Sequence, residues 1–117
     1  MVGLMRRGEI WTVNLNPSRG AEIGKIRPVL VLQANWLTEA GSDSVLIVPL
    51  TTQRRQSLEA LRVTISARDR LRYDCHTVTE KARALDRSRF GVGPLAFATD
   101  QEMADLEQRL KAVMGMM

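Results

Sequence analysis

Two polar positions at the edges of apolar runs are the main candidates for chemistry in this sequence. Arg27 directly precedes the run Pro28–Leu32, and Thr51 directly follows the run Val45–Leu50. A guanidinium can stabilise negative charge that develops on a phosphate, and a hydroxyl can donate a hydrogen bond to the same phosphate. The pair therefore suits cleavage of RNA by its own 2′-hydroxyl, which needs the phosphodiester held in line but needs no metal and no external nucleophile. Arginine before a strand and threonine after one are also common without any chemistry, so the residues alone leave a structural role open.

The elements that must position these residues are two buried strands. Both apolar runs are rich in β-favouring residues and are bounded by polar segments, which is typical of strands inside a sheet. If the two strands are antiparallel neighbours, the start of the first lies beside the end of the second. That pairing would bring Arg27 and Thr51 to the same rim of one sheet.

Cationic segments flank both anchors. The segment Asn16–Lys25 contains turn formers, two glycines, Arg19 and Lys25, and we interpret it as a mobile loop that could close over a polyanion. Between positions 54 and 72 there are six arginines and two acids, within a chain of net charge +4. Arginine binds phosphate oxygens bidentately and stays charged, so this patch suits phosphate recognition. A hairpin connection without function and an ordinary solvated surface are the alternatives.

Several other kinds of site are excluded by residue type. The chain has one histidine, His76, and one cysteine, Cys75, so a two-histidine ribonuclease mechanism and an internal disulfide are both excluded. The two residues are adjacent, and adjacent side chains of a strand point to opposite faces, which argues against a Cys–His hydrolase. We expect Cys75 to pack in the core and His76 to be structural or on the surface. We expect no metal and no cofactor.

The pattern along the chain predicts one domain, residues 1–117, that is mainly β with a C-terminal α-helix. The sheet is expected to be mostly antiparallel and strongly curved, like a small barrel. Its predicted strands are Glu9–Leu15, Pro28–Gln33, Ser44–Leu50, Leu61–Ile65 and Asp74–Glu80. The absence of a long apolar stretch or a signal-type N-terminus predicts a soluble, cytosolic protein without a membrane contact.

The C-terminal helix carries the clearest local signals. Thr99 can cap it and Glu102 completes a capping box, while Gly115 can end it. An apolar stripe at helical spacing is expected to face the core; its members are Met103, Leu106, Leu110 and Val113.

Four ordered motifs resemble those of the MazF/PemK toxin family. They are Arg7–Trp11, Leu15–Glu22, Arg27–Gln33 and Val48–Gln53, and Arg83–Asp86 resembles the family's Arg-Thr-Ile-Asp stretch more weakly. The resemblance covers nearly the whole chain. It implies an SH3-like or CcdB-like small β-barrel, a homodimer, and a metal-independent endoribonuclease that cuts single-stranded mRNA at short sequences. It also implies 2′,3′-cyclic phosphate and 5′-hydroxyl products, a bacterial cytoplasmic location, and inhibition by a MazE/PemI-type antitoxin with an acidic C-terminal segment.

The resemblance assigns the family's catalytic arginine and threonine to Arg27 and Thr51. Thr52 and Gln53 become their immediate neighbours, and Glu22 falls on the usual glutamate of the loop. The remaining cations are expected to contact the RNA backbone, which gives affinity and salt dependence but little sequence readout. These residues are Arg19, Lys25, Arg54, Arg55 and Arg83.

The chain departs from the family pattern at a few positions that bear on base preference. Where some PemK-type members use a histidine, an arginine and an aspartate, this sequence has Ala21, Val78 and Glu80. Lys81 stands where glutamine is common. Two rival functions remain: a CcdB-like toxin that binds DNA gyrase without catalysis, and a catalytically silent member that only binds RNA or antitoxin. The first would depend on C-terminal residues, and the ending Met114–Met117 offers little that resembles them.

Overall fold

The computed structural model describes residues 4–16 and 25–116, and within them seven strands form one curved sheet. The strands are β1 (Glu9–Asn14), β2 (Ile26–Val31), β3 (Ser44–Thr51), β4 (Thr64–Ile65), β5 (Cys75–Thr77), β6 (Arg83–Asp86) and β7 (Ala96–Phe97). Their order is β4-β5-β3-β2-β1-β7, β6 pairs with β3 as well, and every pairing is antiparallel. The helices are α1 (Asn35–Glu39) and α2 (Asp100–Val113), with 3-10 turns at Gln56–Leu61, Thr79–Lys81 and Arg87–Arg89. The predicted mainly β architecture with a C-terminal helix is confirmed.

Strand β3 lies at the centre of the sheet and pairs with three other strands. Its first half pairs with β6, and its last two residues pair with β5, both on the edge opposite β2. The predicted strand Asp74–Glu80 is confirmed only over Cys75–Thr77, because the chain leaves β5 after Thr77, makes a 3-10 turn and returns as β6. The predicted strand Leu61–Ile65 is likewise reduced to β4, because Leu61 ends a 3-10 turn.

Strand β2 begins two residues earlier than predicted, so Pro28 lies inside it and opposite Thr12 of β1. The Thr12 N–H donates to Val92 O (2.8 Å), and the Thr12 carbonyl accepts from Gly91 N (2.8 Å). Since the backbone groups of Thr12 thus point away from β2, no partner on β1 requires the N–H that proline lacks. This local pairing tolerates the proline and lets β2 extend to Arg27.

The two faces of the sheet bury separate clusters. The inner face packs against α2, with Ile10, Leu30, Val48, Leu50, Ile65 and Leu106 fully buried there. The outer face buries the alternate residues of the same strands: Trp11, Val13, Leu15, Val29, Val31, Val45, Ile47 and Leu85. The near-continuous apolarity of β2 and β3 is thereby explained, because both faces of these strands are covered.

Helix α2 begins and ends as its sequence predicts. Thr99 Oγ1 accepts from the Glu102 N–H (3.1 Å), and the Glu102 carboxylate accepts from the Thr99 N–H (2.8 Å), which completes the capping box. Gly115, just past the helix, has φ +69°, a left-handed conformation that favours glycine. Val113, however, is 40% exposed, so the last turn of the predicted apolar stripe does not join the core. Neither helix in the described part of the chain has the length and apolarity needed to cross a bilayer.

Candidate functional site

A row of four polar side chains crosses the outer face at the rim of the sheet. Val29 of β2 faces Pro49 of β3, and continuing this register to the strand ends places Arg27 opposite Thr51. Thr51 pairs with His76 of β5, and His76 pairs with Thr64 of β4. Directly opposed residues of antiparallel strands share a face and lie close together. The register therefore agrees with the prediction that Arg27 and Thr51 share one rim, and it adds His76 and Thr64 to the row.

Arg27 and Thr51 line one cleft of about 130 Å³, which we call the central cleft. Its other lining residues are Gln53, Arg55, Arg62, Val78, Glu80 and Lys81. Four cationic side chains thus face a single carboxylate. A cleft with that excess of positive charge attracts a polyanion such as a nucleic acid backbone.

The Thr51 hydroxyl is oriented by its own turn. Thr51 ends β3, its side chain is largely buried, and its Oγ1 accepts a hydrogen bond from the Gln53 N–H (3.1 Å). A hydroxyl has one hydrogen to donate besides the lone pairs that accept. With a backbone donor already bound to the oxygen, the hydroxyl hydrogen is available to an acceptor in the central cleft. Thr51 can therefore donate to a phosphate oxygen.

An ion pair that sequence reasoning did not identify lies at the wall of the central cleft. Arg62 Nη2 is 2.9 Å from Glu80 Oε2, and the two side chains are only 7% and 23% exposed. Within the described residues, Arg62 Nε and Glu80 Oε1 are buried without a hydrogen-bond partner. The pair joins residues 18 positions apart, so no local spacing could have indicated it. It places a partly satisfied buried charge pair beside the residues with candidate chemistry.

The other predicted RNA contacts are distributed unevenly around the site. Gln53 and Arg55 line the central cleft. Arg54 lies just outside it, in an ion pair with Glu59. Thr52 is exposed next to Thr51 and does not line the described cleft.

Four further predicted contacts either do not line the central cleft or lie outside the described residues. Lys25 is exposed directly before β2, with φ +73° and its N–H bound to Asn16 Oδ1 (2.8 Å). Arg83 lies on β6 opposite Ile47 and is not among the residues that line the central cleft. Arg19 and Glu22, like Ala21 of the predicted loop, lie outside the described residues.

Cys75 and His76 point to opposite faces, as expected of neighbours in a strand. Cys75 is buried in the inner cluster, where burial raises the pKa of its thiol, so its predicted packing role is confirmed. Among residues 4–16 and 25–116, no three His, Cys, Asp or Glu side chains lie close enough together to hold a metal ion.

A separate groove, of about 420 Å³, lies between the last turn of α2 and the sheet. Leu32, Leu46, Leu110 and Val113 contribute to its lining, which is mainly apolar. Apolar side chains cannot stabilise charge on a reacting phosphate, so we assign the chemistry to the smaller central cleft.

Comparison with known proteins identifies the family of this chain. The chain matches the family described as PemK-like, MazF-like toxin of type II toxin–antitoxin system over residues 6–114. It is 34% identical to endoribonuclease MazF9 of Mycobacterium tuberculosis over 113 residues, which cover 92% of this chain and 94% of that protein. The crystal structure of MazF from Deinococcus radiodurans superposes with a TM-score of 0.83 at 25% identity, covering 98% of this chain and 100% of the other. A MazE–MazF structure from the same organism gives a TM-score of 0.78 at 24% identity, with coverage of 99% and 100%. The chain therefore belongs to the PemK-like, MazF-like family of type II toxins.

Proposed function

We propose that this protein is a toxin endoribonuclease that cleaves single-stranded mRNA without a metal ion and so inhibits translation and growth. The observation that carries the proposal is the placement of Arg27 opposite Thr51 in a cleft with four cations and one carboxylate. The names of its relatives support it, since the Mycobacterium tuberculosis protein is an endoribonuclease. Bacterial cytoplasm, where mRNA is translated, is the proposed location.

The proposed reaction is attack by the substrate's own 2′-hydroxyl on the adjacent phosphorus. The 2′-oxygen–phosphorus bond forms as the phosphorus–5′-oxygen bond breaks, which leaves a 2′,3′-cyclic phosphate and a 5′-hydroxyl. One proton leaves the attacking hydroxyl to solvent and one is taken up by the leaving oxygen. Thr51 donates a hydrogen bond to a non-bridging oxygen and so orients the phosphate. Arg27 stabilises the negative charge that develops on the phosphorane, because a guanidinium stays protonated and bonds two oxygens at once.

The cations around the central cleft hold the RNA backbone in this proposal. Arg55 and Gln53 contact the nucleotides nearest the scissile phosphate, with Thr52 beside them. The outer contacts are Arg19, Glu22, Lys25, Arg54 and Arg83. Binding by several cations releases counterions, so affinity should fall steeply as salt is raised.

The proposed partners are a second copy of the chain and a MazE/PemI-type antitoxin. An acidic antitoxin segment is complementary to the positive charge of the central cleft and would compete with RNA for it. The Deinococcus radiodurans MazF neighbour has been solved with MazE. Sedimentation of the purified protein is expected to give a dimer, and a monomer would count against that part of the proposal.

The direct test is to incubate the purified protein with a mixed-sequence RNA in excess EDTA and to map both new ends. The expected result is cleavage at a short recurrent sequence, with 2′,3′-cyclic phosphate and 5′-hydroxyl ends. Loss of cleavage in EDTA, or products with 3′-hydroxyl ends, would contradict the mechanism. The Thr51→Ser variant, which keeps a hydroxyl, is the matched control for Thr51→Val, which removes it.

A further inference from the structure

A second, smaller cleft adjoins the central cleft on the side of β4 and β5. It is lined by Arg54, Arg55, Glu59, Arg62, Thr64 and His76. Arg55 and Arg62 line both clefts, so the two are adjacent. His76 is one strand away from Thr51, and neighbouring strands lie about 5 Å apart. The second cleft is therefore positioned to receive the part of a bound chain next to whatever occupies the first.

His76 is held in a defined orientation at the second cleft. Its Nδ1 is 3.0 Å from Thr64 Oγ1 on the neighbouring strand, and the ring is half-buried. Among the described residues, no hydrogen bond engages Nε2. When the Thr64 hydroxyl donates to Nδ1, Nε2 carries the hydrogen and can donate to an acceptor in the cleft.

The charges that face His76 favour an anion. Arg54, Arg55 and Arg62 face it from the segment after β3, and the uncharged Thr51 and Thr64 flank it on the sheet. The one acid in the cleft, Glu59, is paired with Arg54. A phosphate could therefore replace the Glu59 carboxylate as the partner of Arg54.

We infer that this second cleft is a phosphate subsite, in which His76, Arg54 and Arg55 bind the phosphodiester adjacent to the scissile one. The inference rests on the proposed function, because an adjacent phosphodiester is present only when RNA occupies the central cleft. His76 is a binding residue in this account, and it transfers no proton.

The test uses oligoribonucleotides built on the cleavage sequence found by end mapping. In two of them, a neutral methylphosphonate replaces the phosphodiester on the 5′ or the 3′ side of the scissile linkage. In the wild type, one of the two replacements should lower kcat/KM about tenfold, because a hydrogen bond to a charged group is lost. In His76→Gln, cleavage of the unmodified RNA should already be slower, and the same replacement should cost a smaller factor than in the wild type, because only the Arg54 and Arg55 contacts remain to be lost.

Arg72→Gln is the matched control, because Arg72 is an exposed cation that lies outside both clefts. It should show the wild-type response to the neutral linkage. Glu59→Gln should release Arg54 and tighten binding of an oligonucleotide made uncleavable by a 2′-deoxy sugar at the reactive position. Circular dichroism of each variant checks that the fold is kept.

The outcomes distinguish the phosphate subsite from the endoribonuclease activity on which it rests. If neither neutral linkage slows the wild type, or if both proteins lose the same factor, the phosphate subsite is overturned while the endoribonuclease remains. Unchanged or weaker RNA binding by Glu59→Gln would remove Arg54 from the subsite. If the wild type does not cleave the unmodified oligonucleotide, the proposed function fails, and the inference fails with it.

Discussion

Two partly buried arginine–glutamate pairs lie in different regions of this protein and are satisfied to different degrees. Arg68 binds both carboxylate oxygens of Glu102, at 2.8 and 2.7 Å, and donates further hydrogen bonds to Ser66 and to the Phe97 carbonyl. Arg62 makes a single hydrogen bond to Glu80, and Arg62 Nε and Glu80 Oε1 remain buried without a partner among the described residues. The first pair fastens the start of α2 to the sheet region; the second lines the central cleft.

The difference indicates what each region is built for. A charge pair whose hydrogen bonds are all made recovers much of the cost of burial, whereas a pair with unmet groups is held at an energetic cost. Such costs concentrate at functional sites. The Arg68–Glu102 pair at the start of α2 is therefore expected to contribute to stability, and the Arg62–Glu80 pair in the central cleft to chemistry.

The largest effect is expected on the cleavage rate, when a cation is removed from the central cleft. Removal of a cation from the other region should change stability instead. Arg27→Ala should lower the cleavage rate by about 10²-fold to 10³-fold with the fold retained, since it removes a donor that stabilises the transition state. Arg68→Gln should lower the unfolding free energy but leave the cleavage rate of the folded protein unchanged. Single-turnover rates and urea unfolding of both variants provide the measurement. A wild-type cleavage rate in Arg27→Ala would contradict the assignment of chemistry to the central cleft.

The Arg62–Glu80 pair should separate stability from activity. Glu80→Ala leaves a buried guanidinium unpaired and is expected to cost about 3 kcal/mol in urea unfolding. The double variant Arg62→Met with Glu80→Leu should recover most of that stability, because two apolar side chains can fill the space. Its cleavage rate should nevertheless stay about tenfold or more below the wild type. Wild-type cleavage by the double variant would show that the pair is only structural.

The Arg68–Glu102 pair should make stability depend on pH in acid. Burial opposes ionisation of Glu102, but hydrogen bonds from Arg68 and Thr99 outweigh it and lower the pKa of the carboxyl; the same hydrogen bond raises the pKa of Arg68. The unfolded chain therefore binds the proton more readily. The contribution is fully present above the ordinary glutamate value of about 4.3, and it is lost as pH falls through the lower folded value.

Glu102→Gln should accordingly be less stable at neutral pH and lose less stability on acidification, as measured by urea midpoints. Glu107→Gln is the control, because its ion pair with Arg7 is on the surface and contributes little. Parallel acid profiles for Glu102→Gln and the wild type would contradict the assignment.

The smallest effect is expected at the helix cap. Thr99→Ala removes the acceptor for the Glu102 N–H and should cost about 1 kcal/mol, while Thr99→Ser should be nearly neutral. For a domain of this size, the melting temperature should fall by about 4 °C. If Thr99→Ala lost RNA cleavage at a temperature where it is folded, the assignment of stability to the start of α2 and of chemistry to the central cleft would be contradicted.

Sequence reasoning succeeded where the signal was local. The runs that became β2 and β3 are long and apolar, so they predicted both strands and the rim shared by Arg27 and Thr51. The capping box of α2 likewise lies within four consecutive residues. The family resemblance supplied the roles that composition could not.

What the sequence could not indicate depends on contacts between distant segments. Strands β6 and β7 are short, and β7 has only two residues, so neither has a periodicity to detect. The row from Thr51 to His76 and Thr64 arises from the register of three strands joined by irregular segments. The Arg62–Glu80 pair likewise forms only once β4 and β5 are aligned, since Arg62 precedes β4 and Glu80 follows β5.

The central claim is that Arg27 and Thr51 act on the same phosphate, and a double-mutant cycle tests it most directly. Single-turnover cleavage of one oligoribonucleotide would be measured for the wild type, Arg27→Ala, Thr51→Val and the variant with both changes. Groups that act as a unit lose activity non-additively, so the double variant should be about as slow as Arg27→Ala alone. Losses that multiply, or a wild-type rate in either single variant, would contradict a shared site.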